Sequence, residues 1–132
     1  MTIVITIPGR PPTPNSRRHW RKVHKDNAVW SYRAWTEATL QKPHGMEPLT
    51  SCRMAVEFVV PTKGRRDLDN MISGQKPCLD GLVLAGILAD DSTAVITSVA
   101  YSSTYVKGVT ATRYTIEPLG GNSDRLDCEE TP

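Results

Sequence analysis

Residues 63–92 read KGRRDLDNMISGQKPCLDGLVLAGILADDS, and this stretch decides how the middle of the chain folds. After a basic loop, the Asp69–Asn70 pair opens a helix that is predicted to run to about Ala85. Gly86 is a natural stop for that helix, because glycine readily adopts the left-handed conformation common just past a helix end. Pro77 lies inside the span and has no backbone N–H, so the sequence predicts a kink or a short break there.

Strands are predicted on both sides of this helix. Apolar and polar residues alternate from Cys52 to Val60, which is typical of a strand with one buried face. A β-rich run over 2–7 predicts a first strand. Two further strands are predicted over 94–105 and 111–117, with the Lys107-Gly108 pair as the hairpin turn between them.

An earlier helix is predicted from about Asp26, as its N-cap, to Leu40. Its apolar stripe comprises Trp30, Ala34, Trp35, Ala38 and Leu40. One long helix crossing between strands favours an α+β fold. We therefore expect a single mixed or antiparallel sheet of about four strands, covered by two main helices in a two-layer sandwich.

The composition is that of an ordinary globular protein of one domain. The chain has 132 residues, of which 39% are hydrophobic and 23% charged, and no apolar run approaches the length of a membrane span. We assign residues 1–118 to the domain and expect the acidic residues 119–132 to be disordered. Three cysteines without a CxxC pair indicate reduced thiols in a cytoplasmic protein. No contact with a membrane is expected.

Carboxylates and basic residues are concentrated in the same segment. Asp67 and Asp69 are two positions apart, directly after a run of basic residues, and Asp90-Asp91 follow about twenty positions later. Mg²⁺ is usually held by one or two carboxylates together with waters and substrate phosphates, so this pattern favours a metal placed against a polyanion. The alternative is that Asp67 or Asp69 caps the helix, which explains one aspartate easily but four poorly.

The segment between Arg10 and Arg33 carries seven lysines and arginines against Asp26 as its one acid. Such a surplus is either a solvated basic face or the electrostatic footprint of a nucleic-acid site, and the nearby carboxylates favour the second. Trp20 lies among these cations and is a candidate for base stacking, whereas core packing is favoured for Trp30 and Trp35. The predicted DNA-binding residues are Arg17, Arg18, Arg21, Lys22, Arg65 and Arg66.

Short motifs in this region match a known family. They are Arg66-Asp67-Leu68-Asp69-Asn70, Gln75-Lys76, Asp80 with Leu82, and Gly86 with Asp90-Asp91-Ser92. In these motifs the chain resembles the RusA family of Holliday junction resolvases. The resemblance is specific over 65–92 and looser over the rest of the span from Ile3 to about Glu117. The sequence departs from the family over residues 71–74, which lengthen the spacing before Lys76 by about three residues, nearly one helical turn.

The resemblance implies the roles of individual residues. The catalytic residues would be Asp67, Asp69, Asp91 and Lys76, and the metal ligands would be Asp67, Asp69, Asp91 and Asp90. It also implies a bacterial or phage-type endodeoxyribonuclease that uses Mg²⁺, with Mn²⁺ as a substitute, and nicks branched DNA as a homodimer.

The sequence excludes several other site classes. The three histidines have no zinc-ligand spacing with the cysteines, and neither a glycine-rich phosphate loop nor a GxSxG motif is present. Two interpretations remain open on the residues themselves. One is a Mg²⁺-dependent nuclease for four-way junctions, and the other is a non-catalytic nucleic-acid-binding protein whose carboxylates are structural.

Overall fold

A computed structural model describes residues 2–12 and 20–119, with the backbone alone for 20 and 21. Its elements are β1 (Ile3–Pro8), α1 (Trp20–Gln41), β2 (Cys52–Val60), α2 (Leu68–Gly74), α3 (Lys76–Leu84), β3 (Ile96–Tyr105) and β4 (Ala111–Pro118). The predicted α+β class is confirmed. None of the helices in these ranges is both long and apolar enough to cross a bilayer. The predicted disordered tail lies outside the described residues, apart from Leu119, whose N–H donates to the Ser51 carbonyl at 3.0 Å.

The four strands form one mixed sheet in the order β1-β4-β2-β3. β4 is antiparallel to both of its neighbours, whereas β3 runs parallel to β2 at the edge. β2, the two short helices and β3 therefore form a parallel crossover unit, with the helices as the connection between the strands. This unit sets the position of the candidate site.

The predicted hairpin between the last two strands is wrong, because β2 lies between β3 and β4. The connecting turn passes over the end of β2 and bonds to it. Val106 N–H donates to the Val60 carbonyl at 3.0 Å, and Gly108 N–H donates to the Pro61 carbonyl at 3.1 Å. Gly108 has the positive φ of 73° that a tight turn demands, so the turn residue was predicted correctly but the strand pairing was not.

The sheet has one buried face and one charged face. Alternate residues of β1 and β2, such as Ile5 and Val56, are fully buried beneath the helices. On the opposite face, cross-strand ion pairs join Arg53 to Glu117 at 3.2 Å and Arg113 to Glu57 at 2.6 Å. Because charged side chains of this kind remain solvated, this face of the sheet is exposed, whereas the core lies on the other face.

Helix α1 begins at Trp20, six residues before the predicted start at Asp26. The added turns are rich in lysine and arginine, which favour helix without an apolar stripe, so periodicity alone could not show them. Lys22 and Asp26 stand one turn apart, 3.8 Å from each other. Asp26 is therefore an interior helical residue and not the N-cap.

The buried stripe of α1 is narrower than predicted. Ala34 and Ala38 are fully buried and Trp30 packs against the core, but Leu40 is 75% exposed and Trp35 is also exposed. Because the buried residues Ala34 and Ala38 have small side chains, α3 can approach α1 closely. A Cβ atom added to Gly81 of α3 would lie 2.5 Å from the Ser31 carbonyl oxygen. The widened stripe through Trp35 and Leu40 was therefore a wrong prediction.

The predicted break near Pro77 is confirmed, since Gln75 separates α2 from α3. Pro77 falls in the first turn of α3, where a missing N–H loses no helical hydrogen bond. Helix α3 ends at Leu84. Gly86, the stop that the sequence predicted, follows with a φ of 82°. The break matters because it makes Lys76 the first residue of a new helix.

Candidate functional site

Lys76 is the centre of an ion-pair cluster at the start of α3. Its ammonium donates hydrogen bonds to Asp80 Oδ1 at 2.7 Å and to Asp91 Oδ2 at 2.5 Å. The Lys76 side chain is 57% exposed and that of Asp91 is 28% exposed. The cluster is therefore open to solvent on one side.

Two buried neighbours hold Lys76 in this place. Gln75, the residue before it, is buried, and its Oε1 accepts a hydrogen bond from the Tyr114 hydroxyl of β4 at 2.6 Å. Pro77, the residue after it, is buried as well. Lys76 is thus exposed between two anchored neighbours, and this fixes the direction in which its side chain leaves the helix.

Asp91 is positioned by the segment that follows α3. The backbone of Leu49 bonds to this segment on both sides, since its N–H donates to Ile87 at 3.0 Å and its carbonyl accepts from Ala89 at 2.9 Å. Three residues after Ala89, the Ser92 carbonyl accepts hydrogen bonds from the N–H groups of residues 95 and 96. The turn that carries Asp91 is therefore bonded at both ends.

The pKa values in the cluster follow from these contacts. The hydrogen bond from Lys76 to Asp80, followed by the one to Asp91, raises the pKa of the Lys76 ammonium above its ordinary value. The hydrogen bond from Lys76 lowers the pKa of Asp91. At neutral pH the cluster therefore holds one ammonium between two carboxylates, with Lys76 as a fixed cation and not as a base.

Asp67 occupies the N-cap of α2, but only its backbone caps the helix. Its carbonyl accepts the N–H of Asn70 at 3.1 Å and that of Met71 at 3.3 Å, while its side chain makes no capping hydrogen bond. The Asp67 carboxylate lies 3.5 Å from the Asn70 side-chain amide, and both Asp67 and Asp69 are exposed. A side-chain cap therefore does not explain either carboxylate.

The structure brings together some of the predicted site residues and not others. Lys76 and Asp91 are in contact, and Asp80 joins them. Within residues 2–12 and 20–119, no three histidine, cysteine, aspartate or glutamate side chains are grouped closely enough to hold a metal ion. Convergence of Asp67, Asp69 and Asp91 on one ion thus stays a prediction, and Asp90 is exposed beside Asp91.

The two arginines next to the carboxylates differ in how they are held. The Arg66 guanidinium donates to the Thr62 carbonyl at 3.0 Å and to its hydroxyl at 2.8 Å, whereas Arg65 is exposed. Lys22 is exposed on α1. Of the other predicted DNA-binding residues, Arg17 and Arg18 lie outside the described residues, and only the backbone of Arg21 is described.

Sequence reasoning left the role of Asp80 open between a partner of the site and a solvated helix residue. In the structure Asp80 accepts a hydrogen bond from Lys76, while about half of its side chain stays exposed. The i, i+4 spacing of the two residues was the available signal. Gln75 and Tyr114 were missed, because no sequence pattern links a helix break to a strand 39 positions later.

Comparison with known proteins adds no assignment, since neither a protein-family model nor a curated protein matches this chain. The case for function therefore depends on the residues and on their geometry.

Proposed function

We propose that this protein is a Mg²⁺-dependent endodeoxyribonuclease that resolves four-way DNA junctions by paired, symmetric nicks in recombination and repair. This is the activity implied by the resemblance to the RusA family. The observation that carries the proposal is the exposed ammonium of Lys76, held by Asp91 and Asp80 at the start of the helix that follows the Asp67–Asn70 segment.

The donor set suits magnesium chemically. Asp67 and Asp69 offer exposed carboxylate oxygens that form no salt bridge with any residue in the described part of the chain. Mg²⁺ binds through one or two carboxylates and completes its shell with waters and substrate phosphates, so a full cage of protein ligands is unnecessary. Asp67 and Asp69 would hold the ion, with Asp91 and Asp90 as further ligands.

The bound metal would supply Lewis-acid activation of the phosphodiester and of the attacking water. The protein residues have separate roles. Lys76 is protonated at neutral pH, and its raised pKa makes it a poor proton donor, so its role is to stabilise negative charge on the phosphate and on the leaving oxygen. Asp80 orients the Lys76 ammonium. Arg65 and Arg66 bind flanking phosphates and hold the strand in register.

Paired nicking places a requirement on assembly. Two strands have to be cut symmetrically, so the active species is a homodimer with one site on each side of a two-fold axis. Branched DNA and a second copy of the chain are therefore the proposed partners.

The direct test follows cleavage of a synthetic four-way junction while Mg²⁺ is titrated. Asp67→Asn and Asp69→Asn should each abolish cleavage and leave folding and junction binding intact, because each change keeps volume and removes a metal-binding charge. Glu117→Gln is the matched control, since this carboxylate lies on the opposite face of the sheet, paired with Arg53. Cleavage by either aspartate variant at the wild-type rate would contradict the metal-site assignment.

One observation favours a second candidate, a non-catalytic nucleic-acid-binding protein with structural carboxylates. The Asp91 carboxylate is already paired with the Lys76 ammonium at 2.5 Å. The same assay separates the candidates. A protein that binds the junction but leaves it uncut at every Mg²⁺ concentration would belong to the second class.

A further inference from the structure

A groove lies beside the Asp67–Asn70 segment, between the basic loop 61–66, the start of α2 and the end of β3. Its volume is about 360 Å³. Val60 and Met71 line it with buried apolar side chains, Tyr105 contributes an aromatic ring, and Lys63 and Arg66 add positive charge. Apolar, aromatic and cationic groups are thus combined within one small concavity.

The aromatic wall is accessible because β3 is the edge strand. Tyr105 is paired in register with Val60, so both side chains lie on the helical side of the sheet. The helices cover Val60 but leave Tyr105 43% exposed. An exposed aromatic ring next to an apolar floor provides a flat surface on which a planar ligand can stack.

The cationic groups are held in place before any ligand binds. Arg66 uses two of its N–H groups on Thr62, which fixes the guanidinium plane while further donors remain for an anion. The Lys63 ammonium lies 5.5 Å from the centre of the Tyr105 ring, within the range of a cation–π contact. Arg10 adds a third positive charge, with its guanidinium 2.9 Å from Met71 Sδ. The charge of the groove is therefore complementary to phosphate.

We propose that this groove binds one unstacked nucleotide of a DNA strand, with the base on Tyr105 and the flanking phosphates on Lys63 and Arg66. The nature of the ligand rests on the proposed function. The groove adjoins Leu68, between the two metal-binding aspartates, so its occupant would be a near neighbour of the scissile phosphate. Bases at a branch point have lost a stacking partner, which reduces the free energy needed to move one out of the helix.

This subsite would have little sequence preference. Stacking uses the face of a base, which all four bases share, and phosphate contacts carry no sequence information. The proposed subsite therefore recognises an exposed nucleotide and not a particular base. Its signature is a loss of junction affinity on substitution of Tyr105 that is absent when the DNA lacks the base at the branch point.

The experiment measures junction affinity in EDTA, so that no cleavage takes place. Wild type, Tyr105→Phe and Tyr105→Leu are titrated with an intact four-way junction and with one that carries abasic sites at the branch point. Tyr105→Leu should bind the intact junction roughly fivefold or more weakly, whereas Tyr105→Phe should stay close to wild type. On the abasic junction, all three proteins should bind equally.

Tyr32→Leu is the matched control, because Tyr32 is a 65% exposed tyrosine on α1, away from the groove. It should bind both junctions like wild type. A branch-point 2-aminopurine should be quenched by wild type and not by Tyr105→Leu. Circular dichroism checks that each variant is folded. If Tyr105→Leu is unfolded, the affinities of wild type for the two junctions decide the point, because stacking on Tyr105 requires wild type to bind the abasic junction more weakly than the intact one.

Equal affinity of Tyr105→Leu and wild type for the intact junction would overturn the proposal and leave the groove to another kind of ligand, such as a protein segment. Failure of the subsite is distinguishable from failure of the proposed function. Mg²⁺-dependent cleavage without an effect at Tyr105 refutes the subsite alone. A Tyr105 effect without cleavage refutes the enzyme and retains the nucleotide site.

Discussion

The Lys76 ammonium lies 2.5 Å from the Asp91 carboxylate, although fifteen positions separate the two residues in the chain. A cation of the protein therefore already occupies one side of a proposed metal ligand. Any metal that uses Asp91 has to compete with Lys76 for it. Asp80, 2.7 Å from the same ammonium, is an acceptor that could keep Lys76 in the site after Asp91 turned to a metal.

Lys76→Met should therefore tighten metal binding while it abolishes cleavage. Two unit charges about 4 Å apart in water interact by about 1 kcal/mol, so removal of the competing ammonium should lower the Kd for Mn²⁺ by about fivefold or more. Isothermal titration calorimetry with Mn²⁺ measures this directly. Lys107→Met, in the turn between β3 and β4, is the control and should leave the Kd unchanged. Equal Mn²⁺ affinity in Lys76→Met and wild type would show that Asp91 does not bind the metal.

The ion pair should also make stability depend on pH. Because the pKa of Asp91 is lowered on folding, its contribution is present above the ordinary value of 3.8 and is lost as pH falls through the lower folded-state value. The raised pKa of Lys76 sets the limit at high pH. Its contribution to stability is present below pH 10.5 and is lost as pH rises through the higher folded-state value. Asp91→Asn should thus be less stable than wild type at neutral pH but equally stable in strong acid.

Denaturant unfolding at neutral and acid pH measures this difference. An exposed pair of this kind contributes roughly 0.2–1 kcal/mol, so the neutral-pH deficit of Asp91→Asn should lie in that range. Glu47→Gln is the control, because Glu47 is exposed and forms no salt bridge with any residue in the described part of the chain. A deficit that persisted unchanged into acid would show that the asparagine disturbs the turn and not the ion pair.

Tyr114→Phe should destabilise the protein even though it removes a single oxygen atom. The hydroxyl is fully buried and donates to Gln75 Oε1 at 2.6 Å, so phenylalanine would leave a buried amide oxygen without its donor. Such a loss typically costs about 1–3 kcal/mol of the unfolding free energy. Tyr32→Phe, at an exposed position, should have no effect. Comparable stability of Tyr114→Phe and wild type would mean that Gln75 finds another donor.

Local patterns predicted the elements whose signals are short in range. The bounds of β2 were predicted by alternation, and the break before α3 was predicted by the chemistry of Pro77. The family resemblance named Lys76 and Asp91 as catalytic residues, but the hydrogen bond between them was not predicted. The pairing of β3 was not predictable in this way, since a five-residue turn permits either a hairpin or a crossing over β2. The first turns of α1 were not predicted either, because their residues favour helix but do not form a periodic apolar stripe.

Gly81→Ala should destabilise the contact between α1 and α3. The added methyl group would lie 2.6 Å from the Ala34 Cβ and 2.8 Å from the Trp35 backbone nitrogen, and neither atom belongs to a flexible side-chain end. Overpacking of this kind typically costs about 1–3 kcal/mol in stability. Gly64→Ala is the matched control, because its nearest contact is Arg66 Nη1 at 3.9 Å, and it should shift stability by less than about 1 kcal/mol. Thermal or denaturant unfolding of both variants decides the point.

The basic residues before and within α1 should bind phosphates and not read bases. Each phosphate contact on duplex DNA releases roughly 0.9 counterion, so junction affinity should fall steeply as salt is raised. Replacement of Arg17, Arg18 and Arg21 by alanine should weaken binding to all junction sequences about equally. It should also flatten the dependence of log Kd on log salt by up to ~3 units.

Turnover at saturating junction should fall less than affinity does in this triple variant, because none of the three arginines is among the proposed metal ligands. Arg65→Ala provides the contrast, since Arg65 is exposed two positions before Asp67 and would hold a phosphate next to the scissile one. We expect Arg65→Ala to flatten the dependence of log Kd on log salt by only about 1 unit, since it removes one phosphate contact. It should nevertheless slow cleavage more than the triple variant does. An unchanged salt slope in the triple variant would place the DNA elsewhere and leave the N-terminal segment as a solvated basic face.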